Sequence, residues 1–592
     1  MDINNSTNNR NHHESRFSYL AGFHYGVDDV YHWQARVGGF MMEKCSFGHP
    51  CRVLCIQGTG TGKSLLYQTL SVYFKGITIY ISPLLTLGAD QVHKLMEKTR
   101  ILSPTVIPIH LDAVKNEHQM AHLTGMISDL DPRVSIVVFT SPQTITQKFP
   151  SFVSKVMSGI SFIVVDELHM FNAFGRSFRQ EFQLLRRYLF KKVDQKTPML
   201  FMTASCNERI RRSFEQMIGV DITDVHWPTS RQIANRRVSL NTFYSQKPIV
   251  KVINSISSEL LANPNGNDKF IIYSNVRRRV IELQERIGDA FDANELLHHV
   301  EVLALHGQLT KEQKAAYISM FLNPSHEDDT GIRVLCATSG VANVGLDSPD
   351  IKSVFRIGFP PSILDFIQEC GRAGRVPGAS PWDYSYNVFY SLDSFVYLFE
   401  RAMDPDNQVI DDRYRTEEVE SLFEVGKMLV LQEECFYVTI EKHLGHPGII
   451  VAESEFSECT ICPVCRNDKG RQIVPPINRQ GTAQVLFHMF NSPADNITIN
   501  KNRDAWTLPV LVREIRAYPN ATFMILQSKM KGGISPDLIK RVLFGMMMKG
   551  ILQLTYDNEE RKAVFSLTHS TERVGEFALM EDSYWSGMNL KA

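Results

Sequence analysis

Gln57-Gly58-Thr59-Gly60-Thr61-Gly62-Lys63-Ser64 decides the fold of this chain. The apolar run Val53-Leu54-Cys55-Ile56 before it reads as a buried strand, and Leu65 to Leu70 after it as a helix. Strand, glycine-rich loop and helix in that order form a phosphate cradle, because glycines turn backbone N–H groups inward and the helix N-terminus faces the anion. Thr59, Gly60, Thr61 and Gly62 line the loop, Lys63 reaches the β- and γ-phosphates, and Ser64 ligates Mg²⁺. The general pattern wants glycine where this chain has Gln57. A glycine-rich surface loop is the competing reading of the loop alone, and the rest of the chain decides between them.

At 592 residues and 43% hydrophobic content, the chain is long enough for several domains, each with its own core. Lysine and arginine total 63 against 64 acidic residues, so a nucleic-acid surface has to be a local basic groove rather than a general cationic field. No apolar run reaches the length of a membrane span, and no membrane partner is expected. The opening stretch, Met1 to Ser18, is polar and rich in Asn and His; a disordered tail is expected over residues 1–20. Without a secretory signal there, the ten cysteines are expected to be reduced thiols or metal ligands rather than a disulfide framework.

Downstream of the loop, short apolar strands at 77–81, 136–139, 162–165 and 199–202 alternate with helical stretches. That alternation predicts an α/β domain with a parallel sheet covered by helices. It is assigned to residues 21–225, since the pattern breaks at His226-Trp227-Pro228. A second alternating set, with strands at 270–273, 302–305, 334–337 and 354–357, fills residues 226–402. It has no phosphate loop of its own and is expected to complete a site rather than build one. Residues 403–470 pass from helical pattern into a cysteine cluster, and residues 471–592 hold a linker and a last domain. There Pro536 to Met548 reads as a helix and Ile551 to Leu567 as a hairpin, an order that suggests a winged helix.

Val164-Val165-Asp166-Glu167 places two carboxylates at the C-terminal end of a buried strand, where doubly wound sheets bind their ligands. Asp166 is suited to hold Mg²⁺ and Glu167 to polarise the attacking water. An ordinary acidic strand end is the plainer alternative for these residues in isolation. In the second domain, Gln368-Glu369-Cys370-Gly371-Arg372-Ala373-Gly374-Arg375 carries two arginines spaced by small residues. Phosphoryl transfer spreads negative charge in its transition state, which guanidinium groups from a neighbouring domain stabilise, so Arg372 and Arg375 are the candidate fingers.

These motifs resemble superfamily 2 helicases and, within them, the RecQ DNA helicases, from about Phe23 to Cys465. The resemblance implies two tandem RecA-like P-loop domains, a zinc-binding helical subdomain and a winged helix, with ATP, Mg²⁺ and Zn²⁺ as cofactors. It implies that Gln34 reads the adenine edge, that Tyr25 stacks near the base, and that Gly345, Asp347 and Gln368 line the nucleotide from the second domain. Ser82-Pro83-Leu84-Leu85-Thr86-Leu87 and Asp90-Gln91 resemble the DNA-backbone motif, and Thr203-Ala204-Ser205 the coupling motif. His169 to Arg179 resembles the aromatic-rich loop that senses single-stranded DNA, with Phe171, Phe174, Phe178 and Arg179 as its contacts; Phe174 stands where the family usually has tryptophan. Aromatic faces stack on bases with little sequence preference.

Cys459, Cys462 and Cys465 put three thiols in seven residues, with Cys435 upstream, a donor set suited to tetrahedral Zn²⁺ in a structural role. His443 or His446 is the alternative to Cys435 as fourth ligand. The other six cysteines and Met546-Met547-Met548 are expected in the core, and Lys529, Lys531, Lys540 and Arg541 either contact DNA phosphates or are solvated. Tyr556 is the nearest aromatic residue to the hairpin turn where the family separates strands. The expected activity is ATP-driven 3′-to-5′ translocation on single-stranded DNA with unwinding of forked DNA in repair or recombination, in the nucleus of a eukaryote or the cytoplasm of a bacterium. The alternatives are an ATPase or translocase that unwinds poorly or acts on RNA, and a non-catalytic DNA-binding scaffold.

Overall fold

The computed structural model describes residues 2–82, 92, 95, 96, 106–168, 181–227, 238–322, 332–338, 346–404, 412–444, 459–466, 506–517, 536–548 and 552–567. Within those ranges residues 59, 60, 130, 132, 133, 205, 246, 264–266, 298, 299, 347, 377–379, 559 and 560 are left out. The chain divides into two compact units, one spanning residues 1–235 and the other taking most of residues 236–592.

The first unit is built on seven parallel strands: β1 (Arg52–Ile56), β2 (Gly76–Ile81), β3 (Val106–His110), β4 (Ser135–Thr140), β5 (Ile160–Val165), β6 (Met199–Thr203) and β7 (Asp224–His226). Their order is β3-β4-β2-β5-β6-β1-β7. The central strands are apolar on both faces because helices cover both sides, as parallel pairing requires. β6 lies between β1, which feeds the phosphate loop, and β5, which ends at Asp166. β3 contains Pro108 and buries only Val106, and β7 is three residues long; both are edge strands, and neither belongs to the expected set. Because β7 pairs with β1 in parallel, the expected boundary at 225 falls inside a strand of the first sheet and has to move beyond His226.

The expected disordered tail is a helix. α1 runs from Asp2 to Tyr25 and packs on α2, His32–Ser46. Phe17, Ala21 and Tyr25 recur every four residues and are buried, so a helical stripe hidden in a polar stretch drives the packing. Gly38 on α2 makes the approach possible, since a Cβ there would meet the Phe17 ring at 2.1 Å.

The second unit holds six parallel strands: β8 (Ser239–Tyr244), β9 (Lys269–Ser274), β10 (Glu301–Leu305), β11 (Ile332–Thr338), β12 (Ile351–Ile357) and β13 (Ser385–Tyr390), in the order β10-β11-β9-β12-β13-β8. β8 and β13 escape the sequence pattern because their polar and aromatic residues, SLNTFY and SYNVFY, mask the apolar run. The same unit carries a small antiparallel sheet, β14 (Trp506–Thr507), β15 (Leu552–Asp557) and β16 (Lys562–Leu567), in the order β14-β16-β15. Pro536–Met548 is helical and precedes the β15–β16 hairpin, with Met546, Met547 and Met548 buried.

Candidate active site

In the first unit, β1 delivers the chain to the loop and α3 (Lys63–Phe74) leaves it. Gly62 sits at the N-cap of α3 with φ +82°, a left-handed conformation that glycine adopts without strain. A Cβ there would also lie 2.8 Å from the Gln34 Nε2. The Lys63 ammonium donates to the carbonyls of Gln57 at 2.9 Å and Gly58 at 3.0 Å, and the Thr61 hydroxyl donates to Gly58 O at 2.8 Å. The loop thus wraps its own lysine, and phosphate oxygens would take over those contacts. Ser64 follows on the first turn of α3, half-buried.

Asp166 follows β5 at the same end of the sheet. Its Oδ1 accepts from the Glu167 backbone N–H at 2.8 Å, and its Oδ2 accepts from the Tyr80 hydroxyl on the neighbouring strand β2. Burial, and then the negative charge of Glu167, push its carboxyl up to about 6, against the opposing pull of Lys63. A carboxylate held in ionic form at such cost calls for a cation, and the site's donors fit Mg²⁺ with Ser64 and Asp166 as protein ligands. Glu167 itself has φ +53°, an uncommon conformation for a residue with a side chain and one that clusters at functional sites. β6, inserted between β1 and β5, ends at Thr203, whose carbonyl accepts from Gln57 N at 2.9 Å.

Gln34, 2% exposed, bridges α2 to the loop: its Nε2 donates to Gly62 O at 2.8 Å and its Oε1 accepts from Tyr31 N at 2.9 Å. Tyr25 does not offer a stacking face. It is buried in the core, its hydroxyl donating to Gln68 O at 3.1 Å, because it ends the packed stripe of α1. Tyr31, half exposed and beside Gly62, is the aromatic ring that stands next to the loop. Sequence reasoning passed over Tyr31 and Tyr80; the only available signal for Tyr80 was its place on a strand adjacent to β5. Ser82 is buried at the end of β2, its N–H donating to Thr140 O at 3.0 Å.

In the second unit, Gln368 and Arg372 are both largely buried, at the end of the Ile363–Cys370 helix and in the turn after it. The Arg375 Nε donates to Gly371 O at 3.0 Å, and Gly374 supplies φ +66° between the two arginines. Thr59, Gly60, Phe171, Phe174, Phe178, Arg179, Gly345 and Asp347 lie outside the described residues.

Cys435, Cys459, Cys462 and Cys465 bring four sulfurs within 4.8 Å of one another, with Cys435 and Cys462 3.8 Å apart. A tetrahedron with metal–sulfur bonds of about 2.3 Å has edges of about 3.8 Å, so the donor set fits Zn²⁺. Hydrogen bonding from Cys435 draws the Cys459 thiol well down, and the same bonding drives Cys435 far up, as expected where several thiols share one charge. His443 instead pairs with Glu424 at 2.8 Å, and His446 lies outside the described residues. The remaining cysteines are buried except Cys45, which is half-buried.

Two family models match this chain: a DEAD/DEAH box helicase domain at residues 42–213 and a helicase conserved C-terminal domain at 251–377. The RecQ-like DNA helicase BLM of Xenopus laevis is 27% identical over 56% of this chain and 22% of its own length. The ATP-dependent DNA helicase RecQ of Pasteurella multocida is 25% identical over 74% of this chain and 61% of its own. The chain carries both conserved helicase domains and is similar to the RecQ DNA helicases. A protein of Acanthamoeba polyphaga mimivirus, named provisionally as an ATP-dependent RNA helicase, is 24% identical over 76% of this chain and 73% of its own length. The chain thus spans from about a fifth to three quarters of the length of these relatives. Among the described residues no helix is long and apolar enough to cross a membrane.

Lys540 and Arg541, candidate DNA contacts by sequence, are engaged within the second unit. Lys540 pairs with Asp393 at 2.6 Å, and the Arg541 guanidinium lies 5.7 Å above the Tyr244 ring. Tyr556 lies on β15, directly across from Ala563 and next to the turn.

Proposed function

We propose that this chain is an ATP-dependent DNA helicase that moves 3′ to 5′ on single-stranded DNA and opens forked duplexes. The observation that carries the reading is that Lys63, the lysine of the phosphate loop, and Asp166, a buried carboxylate suited to Mg²⁺, stand at one end of one parallel sheet, close enough for the Lys63 charge to oppose the rise in the Asp166 pKa. Mg²⁺ bound there would neutralise charge on the β- and γ-phosphates. Glu167 orients the attacking water, and Arg372 and Arg375 contribute positive charge to the transition state. Zn²⁺ on the four cysteines holds the 459–466 segment in place, and Tyr556 stands closest to the point where strands part. Repair or recombination is the setting, in the nucleus or in a bacterial cytoplasm.

Unwinding of forks with a 3′ or a 5′ tail, measured beside ATP turnover, tests the reading. Wild type should unwind only the 3′-tailed fork, and Lys63→Ala should lose both activities by at least about 100-fold, the scale of removing a preorganised charge from a transition state. Equal activity of Lys63→Ala would sink it. A second reading, action on RNA, is favoured by the mimivirus relative and its broad mutual coverage. Greater ATPase stimulation by RNA than by single-stranded DNA would select it.

A further inference from the structure

Arg356 on β12 and Glu369 in the Ile363–Cys370 helix are both 0% exposed and pair at 2.6 Å, in the interior of a sheet-and-helix core. Arg356 is among the largest fully buried side chains. Its second Nη donates to Phe359 O at 2.7 Å and to the Asn275 carboxamide, whose own Nδ2 donates to Phe359 O at 2.6 Å. The other carboxylate oxygen of Glu369 accepts from the Tyr386 hydroxyl on β13 at 2.8 Å. Strands β12 and β13 therefore reach the Glu369 carboxylate directly, and the residue just beyond β9 braces Arg356.

Burying two charges costs desolvation that their attraction repays only in good geometry, and apolar residues of equal volume serve stability as well or better. What the pair specifies is position. Glu369 directly follows Gln368, and its carbonyl accepts the Arg372 N–H at 3.2 Å, while Gly371 N–H donates to Ile367 O at 2.9 Å. The turn that carries both candidate fingers is thus built on a residue held from two strands, β12 through Arg356 and β13 through Tyr386. Arg372 also stands near enough to Tyr273 on β9 to oppose the rise in that phenol's pKa, which burial takes to about 12.

We propose that Arg356 and Glu369 are positioning residues that fix the turn at 371–375, so that Arg372 and Arg375 meet the nucleotide already oriented. This rests on the ATP-hydrolysing function proposed above. The test is the double variant Arg356→Met/Glu369→Leu, which removes both charges together and leaves neither unpaired. With single-stranded DNA present, the folded variant should keep its KM for ATP within about threefold, yet lose at least about tenfold in kcat, since small misplacements of a transition-state contact cost that much. A folded double variant with wild-type kcat overturns the proposal. If the double variant does not fold, Tyr386→Phe decides: loss of one hydrogen bond should lower kcat about threefold at constant KM, and unchanged kcat overturns it. Wild type turning over no more ATP than Lys63→Ala would instead overturn the hydrolysis reading, and this inference with it.

Discussion

At the residue scale, Asp166 sets the balance between stability and chemistry. Its carboxyl is pushed up to about 6 in the folded chain from an ordinary value of 3.8, so the native state holds the proton more tightly than the unfolded state. The resulting stabilisation is complete below the unfolded value and is lost as pH rises through about 6, a span worth about 3 kcal/mol. Asp166→Asn escapes that loss but gives up one of the two accepted hydrogen bonds, leaving a net gain of about 1–2 kcal/mol at pH 8. Thermal unfolding without Mg²⁺ should show the variant ahead at pH 8, with the gap closing as pH falls below 6, while ATP turnover is abolished. A gap that does not change with pH would contradict the buried-carboxylate account. The candidate role of Asp166 was legible from its place after an apolar strand. Its Tyr80 partner was not, because register between β2 and β5 is written in no local pattern.

At the element scale, α1 shows how composition misleads. Asn and His dominate its first half, yet Phe17, Ala21 and Tyr25 form one buried stripe against α2. Since a Cβ on Gly38 would overlap the Phe17 ring, Gly38→Ala should destabilise the first unit by about 1–2 kcal/mol despite alanine's better helix propensity. In a double-mutant cycle with Phe17→Ala, which alone should cost about 3–5 kcal/mol, the two effects should combine to less than their sum in urea unfolding. The missed strands β3, β7, β8 and β13 share a cause: each is short or broken by proline, polar or aromatic residues, and each is fixed by its neighbours rather than by its own periodicity.

At the scale of the molecule, the cysteine cluster is tied to the edge of the second sheet. Leu240 N–H on the edge strand β8 donates to Ile461 O at 2.9 Å, and Arg466 donates to Leu240 O at 2.8 Å and to Ser239 Oγ at 2.7 Å. Stripping metal with a strong chelator should therefore lower the unfolding temperature of the second unit, and Arg466→Ala should reproduce part of that shift with metal content unchanged. Metal analysis beside calorimetry checks both. Lys540, Arg561 and Glu400 hold the C-terminal helix and hairpin on the second unit through Asp393, Asp404 and the Ala563 N–H. Because Lys540 is spent on that contact, Lys540→Ala should leave the salt dependence of DNA binding unchanged, whereas a phosphate contact would reduce the slope by about 1.

The amino-acid order by itself determined the two α/β sheets, the phosphate loop, the acidic strand end, the arginine-bearing turn and the thiol spacing, since each depends on residues close together in the chain. Tertiary structure alone decided that Tyr25 is core and Tyr31 stands by the loop, that Cys435 joins the cluster while His443 pairs elsewhere, and that Arg356 meets Glu369. Those outcomes depend on which strands become neighbours and which helix face turns inward. Both are settled by burial summed over the whole core, a quantity no short stretch of sequence contains.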